Sequence, residues 1–154
     1  MHLETVLPEY DFREFHQTRV GAPASYVFRA IKESTSRELP GMRILMAIRS
    51  LPARLTGQRN SASSSDRTVL EGLIAAGFLI LAEQRDHEIV VGRIGQFWKP
   101  TGGESPPVAD LDAFIGFDRS GFAKVATNFL LEVRQDGSTA LSTETRIAAT
   151  DARS

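Results

Sequence analysis

Apolar positions change their period along this chain. Tyr10, Phe12, His16, Thr18 and Val20 share one parity among charged neighbours, which predicts a half-buried strand over 10–20. Gly21-Ala22-Pro23 breaks it, and Pro23 suits the first turn of a helix, where a missing N–H costs nothing. Val27, Phe28 and Ile31 then recur at helical spacing and predict a short helix over 23–33. Beyond the Pro40-Gly41 turn, Ile44, Leu45, Ile48, Leu51 and Leu55 share a second helical face over 42–55, which Pro52 kinks or ends in part. Residues 56–66 are Ser-rich, hold no apolar anchor and read as a flexible loop. A third helix over 67–76 turns Val69, Leu70, Leu73 and Ile74 inward, can be capped by Ser65 or Asp66, and stops at Gly77.

After Gly77 the period becomes that of strands. Residues 78–83 and 88–98 flank a hairpin with Arg85-Asp86 at its tip, a register that sets Glu83 opposite Glu88 and Ala82 opposite Ile89. Residues 100–107 form a Pro/Gly loop, and 110–117 read as one helical turn or irregular structure. Residues 122–134 and 139–149 form a second hairpin about Asp136-Gly137, read as a two-residue turn. That register sets Asn128 opposite Thr145, Leu130 opposite Thr143 and Ala126 opposite Ile147. Strand, helices and then at least four antiparallel strands make an α+β chain with helices segregated onto one face of the sheet. Residues 78–82 and 89–91 are apolar on both parities. A sheet with one wet face should alternate, so both faces are covered, and the second layer is read as a partner chain.

Composition narrows the function classes. The 154 residues suit a single domain, 42% of them apolar and 24% charged. Absence of cysteine excludes disulfides and thiolate chemistry. A formal net charge of −1 offers no global attraction for nucleic acid. The first ten residues lack the pattern of a signal peptide, and the longest apolar run, 78–82, is far below the ~18–20 residues of a membrane span. The expectation is a cytoplasmic protein with no integral membrane segment and no cofactor.

Candidate chemistry is sparse. His2, His16 and His87 show no metal-ligand spacing, so no metal is expected. Glu83 and Glu88, as cross-strand neighbours, could share a proton but sit near a hairpin tip, where a solvated charge cluster is the default. Asn128, Thr143 and Thr145 share a face with Ala126, Leu130 and Ile147 in the register above. A mostly apolar surface with a few convergent polar groups is what a small-molecule pocket looks like, although the polar groups can also satisfy one another. Trp98 could wall a cavity mouth, His16 could face the cavity, and Lys124 could snorkel along an apolar strand. Glu144 and Arg146 fall on the face opposite Thr143 and Thr145, with Thr127 and Phe129 as neighbours, and suit a structural ion pair. Arg43, Arg49, Arg54 and Arg59 make 41–65 basic and amphipathic, a lid or core helix with solvated arginines or a lipid or partner surface.

The stretch Val20-Gly21-Ala22-Pro23-Ala24-Ser25-Tyr26-Val27-Phe28-Arg29-Ala30-Ile31 follows a strand and reads V-x-A-P-x-x-x-V-F-x-A-I. It resembles the strand-to-helix corner of the SRPBCC superfamily (START-like, polyketide cyclase/dehydrase and lipid-transport proteins), in an uncharacterised bacterial branch. The resemblance implies a helix-grip fold, in which a curved antiparallel sheet wraps a long C-terminal helix around an apolar cavity. It implies binding of a hydrophobic small molecule or lipid. The alternatives it leaves are a cyclase- or hydratase-type enzyme using His16, Lys124 or Asn128, or a non-catalytic, chaperone-like interaction module. Strand 139–149 is followed by only five residues, against the roughly 20 a gripping helix needs. That helix is therefore expected to be lacking, and a homodimer, a domain swap or a repositioned 42–55 helix is expected to cover the exposed sheet.

Overall fold

The computed structural model describes residues 2–33, 69–75, 77–96, 99 and 103–150. The 42–55 helix, loop 56–66 and Trp98 lie outside the described residues. The elements in chain order are α1 (His2–Val6), β1 (Phe12–Val20), α2 (Ala24–Glu33), α3 (Val69–Ala75), β2 (Leu79–Gln84), β3 (Glu88–Gly95), α4 (Leu111–Gly116), β4 (Ala123–Val133) and β5 (Thr139–Ala149). The strands form one antiparallel sheet in the order β1-β5-β4-β3-β2. Strands β2 to β5 run as a meander, and β1 returns to lie beside β5. This is an α+β architecture consistent with a helix-grip-like fold.

Local chemistry sets the element ends. The carbonyl of Pro23 accepts from the N–H groups of Tyr26 and Val27 at 3.0 and 3.1 Å, opening α2, whose Val27, Phe28 and Ile31 are buried as their spacing predicts. Helix α3 buries Leu70 and Leu73, but Ile74, expected inward, is half exposed. It closes with the N–H of Gly77 on the carbonyl of Ile74 and that of Phe78 on Leu73, both at 3.0 Å, which satisfies two terminal carbonyls. Asp110 caps α4 by accepting from the N–H of Ala113 at 2.8 Å.

The two faces of the sheet carry separate apolar clusters. On one, α2 and α3 bring Val27, Phe28, Ile31, Leu70 and Leu73 against Ile89, Val91, Val125, Phe129 and Leu141. On the other, α1 and α4 bring Leu3, Val6 and Phe114 against Leu81, Val90, Ile94, Ala126 and Ala148. Helices therefore cover both faces, not one. The apolar pattern on both parities of 78–82 and 89–91 predicts a second layer, expected from a partner chain. Among these elements it is answered by α1, which is too short to show a helical period, and by α4. Close approach of α4 depends on Gly92. A Cβ there would lie 2.4 Å from Leu81 Cδ1 and 3.0 Å from the Phe114 ring.

Both hairpins pair one residue away from the expected register. At the second, Val133 pairs Thr139 and the loop holds three residues, Gln135 to Gly137, inside the Arg134 N–H to Ser138 carbonyl bond of 2.9 Å. Gly137 adopts φ +84°, the left-handed position such three-residue loops need. Asp136 Oδ1 fastens the loop by accepting from the Ser138 N–H and hydroxyl at 3.0 and 2.6 Å. At the first hairpin Gln84 pairs Glu88 and Glu83 pairs Ile89, with Asp86 at φ +58°. A slip of one residue turns every side chain of the paired strand to the other face.

Candidate functional site

The slip divides the residues expected to line one pocket. Asn128 pairs Glu144, Leu130 pairs Ser142 and Ala126 pairs Arg146, all on the α1 side of the sheet. Thr145 pairs Thr127, and Thr143 pairs Phe129 on β4 and His16 on β1, all on the α2 side. The expected face shared by Asn128, Thr143 and Thr145 is thus corrected: Thr143, Thr145 and His16 come together, while Asn128, Leu130 and Ala126 lie behind them. Glu83 and Glu88 are likewise parted. Glu83 points to the α2 side, where Lys32 Nζ donates to it at 2.5 Å, and Glu88 is buried on the α1 side.

On the α2 side, Thr127, Thr143 and Thr145 are all buried on the inner strands. The hydroxyls of Thr127 and Thr145 lie 2.9 Å apart and satisfy each other. Among the described residues the Thr143 hydroxyl is buried and has no hydrogen-bond partner. Such an orphan is uncommon, because an unpaired buried hydroxyl costs roughly 1–3 kcal/mol. Its neighbours across the strands are Phe129 and His16, and His16 Nε2 is 2.7 Å from Glu14 Oε1 at the half-open margin of the same face.

On the α1 side a buried polar chain crosses the sheet. Glu88 Oε2 accepts from the His2 backbone N–H at 2.8 Å and Oε1 from Asn128 Nδ2 at 3.0 Å. Asn128 Oδ1 accepts from the Glu144 N–H at 2.8 Å. Glu144 Oε1 accepts from Arg146 Nε at 2.9 Å and from Arg13 Nε at 2.7 Å. Arg146 also donates to the Leu7 carbonyl at 3.0 Å and stacks on the Tyr10 ring, 4.6 Å from its centroid. The Glu144–Arg146 pairing stands as the alternation suggested, but its neighbours are Asn128 and Ala126, not Thr127 and Phe129.

Charge follows from these contacts. Burial pushes the Glu144 carboxyl up, but the guanidinium hydrogen bonds of Arg13 and Arg146 outweigh it and hold the group below its ordinary value. Arg13 is raised in return, chiefly by its hydrogen bond to Glu144. Burial lowers Lys124, whose Nζ donates to the Ile115 carbonyl at 2.9 Å over the Phe114 ring, so this lysine anchors α4. The Glu88–Asn128–Glu144–Arg146 chain was not foreseen. Its one signal in the sequence was Glu88 directly before the apolar Ile89-Val90-Val91, which places a carboxylate deep in a core strand.

Among the described residues, surface hollows open to solvent at three places. About 250 Å³ lies beside Gln17, Thr18, Arg19 and Arg134, about 320 Å³ beside Phe78, Leu79, Arg93 and Ser105, and about 460 Å³ at the 132–136 turn. None of the three includes Asn128, Thr143 or Thr145. Among the described residues no group of three or more His, Asp or Glu side chains could hold a metal, and no helix is long and apolar enough to cross a membrane. No protein-family model matches the chain, and no curated protein matches it.

Proposed function

We propose that this chain binds a hydrophobic small molecule or lipid without transforming it, on the α2 side of the sheet. The observation that carries the reading is the Thr143 hydroxyl: buried, without a partner among the described residues, and set among Phe129, Leu141 and the self-satisfied Thr127–Thr145 pair. A mostly apolar surface with one free polar group suits an amphiphile whose single polar atom seats there. The helix-grip-like arrangement of sheet and helices supports the same reading.

The enzyme alternative is less well served by the geometry. His16 lies on the α2 side, whereas Lys124 and Asn128 lie on the α1 side, where each is held by hydrogen bonds of its own. General acid–base work needs its groups within hydrogen-bond reach of one reacting centre.

The test is native mass spectrometry of the purified protein, followed by displacement of a naphthalenesulfonate dye with saturated fatty acids of graded length. Saturable displacement that weakens roughly two- to tenfold in Thr143→Val matches one lost hydrogen bond of about 0.5–1.5 kcal/mol. Absence of both a co-purified molecule and saturable displacement overturns the proposal.

A further inference from the structure

The two edges of the sheet are built differently. Edge strand β2 is six residues long, and its register shifts between Ile80 and Ala82, the kind of bulge that blunts an edge. Edge strand β1 has nine residues in unbroken register with β5, and no described strand pairs with its outer side. It also exposes Phe12 on the α2 side and Phe15 on the α1 side, 51% and 46% accessible. A long, regular edge with large apolar side chains on both faces is a template for another strand.

We infer that β1 pairs with β1 of a second copy of this chain, antiparallel about a two-fold axis through Phe15. A two-fold axis normal to the sheet keeps each residue on its own face, so only registers that oppose like parities are allowed. Centred on Phe15, the pairing sets Phe15 against Phe15, Glu14 against His16, Arg13 against Gln17, Phe12 against Thr18, and Asp11 against Arg19. Opposite or neutral partners face each other at every position. The centre two-fold on Glu14 opposes two glutamates, and the centre on His16 opposes Arg13 to Arg19. Like charges directly opposite are destabilising, which disfavours both; a centre on Gln17 opposes no like charges, but the Phe15 centre alone sets Phe15 on Phe15, Glu14 on His16 and Asp11 on Arg19. The sheet then continues across the axis as ten strands, and the inference stands independently of any ligand.

The native chain has no cysteine, so single thiols report the register directly. Phe15→Cys places two thiols opposite each other across the axis, and it oxidises to a covalent dimer about tenfold or more faster than Val133→Cys, an exposed control at the far hairpin. Arg13→Cys and Gln17→Cys crosslink slowly alone and readily when mixed. Phe15→Lys, which opposes two ammonium groups at an exposed position, turns the dimer seen by sedimentation into a monomer with unchanged circular dichroism. A native chain that sediments as a monomer at all concentrations, or a Phe15→Cys rate equal to that of Val133→Cys, overturns the inference. Fast crosslinking of Gln17→Cys alone also overturns it, because that names a different axis.

Discussion

Replacing Thr143 by valine keeps the shape of the side chain and deletes a buried hydroxyl that has no partner among the described residues. A lone buried hydroxyl costs roughly 1–3 kcal/mol relative to a satisfied one, and the methyl that replaces it adds up to about 0.8 kcal/mol of apolar burial. Thr143→Val is therefore expected to stabilise the fold by about 1–2 kcal/mol. For a chain of this size that raises Tm by roughly 2–4 °C per kcal/mol. Thr145→Val gives the opposite sign. It breaks the 2.9 Å contact with Thr127 and leaves the buried Thr127 hydroxyl orphaned, at a cost of about 1–3 kcal/mol. The two substitutions are chemically identical, on one strand and one face, two residues apart. Urea unfolding of both variants beside the native chain, with equal m-values as the check on two-state behaviour, reads the difference. If Thr143→Val destabilises as Thr145→Val does, the Thr143 hydroxyl has a partner in solution and the argument for a free polar group fails. If Thr143→Val stabilises the protein and also weakens dye displacement, the hydroxyl is kept for binding at the expense of the fold.

Other expectations concern the α1 side. Arg146→Met leaves buried Glu144 with the exposed Arg13 as its remaining cation, and should cost about 3–5 kcal/mol in urea unfolding; a cost below 1 kcal/mol refutes the buried pair. Glu144 is held below its ordinary carboxylate value, so its contribution is complete above the unfolded value of about 4.3 and is lost as pH falls through the lower folded value. Stability of the native chain should therefore fall more steeply with acidification in that window than stability of Glu144→Gln, and parallel curves would contradict it. Glu88→Gln turns one acceptor into a donor facing either the His2 N–H or Asn128 Nδ2. It should cost about 1–3 kcal/mol and speed hydrogen exchange in α1 while α2 stays protected. Gly92→Ala should cost about 1–3 kcal/mol by pushing Leu81 and Phe114 apart, visible as a lowered Tm.

Much of the element order was legible. Helix α2 with its Pro23 opening, the Gly77 stop of α3, both hairpins and the antiparallel α+β class follow from periodicity and local backbone chemistry, which act within a few residues. The α1 helix was not legible, since five residues cannot display a 3.6-residue period. Its cover of Val90 and Ala126 is a long-range contact. For the face expected to line a pocket, the alternation within each strand was legible and the grouping across strands was not. Thr143 and Thr145 share a face, as alternation along β5 requires, whereas Asn128, expected beside them, lies behind them with Glu88 and Glu144.

The difference rests on how strands carry information. Alternation along β4 and β5 determined from sequence alone which residues of each strand share a side, because side chains in a strand repeat every two residues. It left open which side of one strand meets which side of the next. That depended on one additional loop residue, held by the left-handed Gly137 and the Asp136–Ser138 bonds, and on tertiary pairing of Glu144 with Arg13 from the far end of the chain. The Asp136-Gly137 pair announced a tight turn, and only the packed sheet decided that the turn has three residues and that Thr143, not Asn128, faces α2.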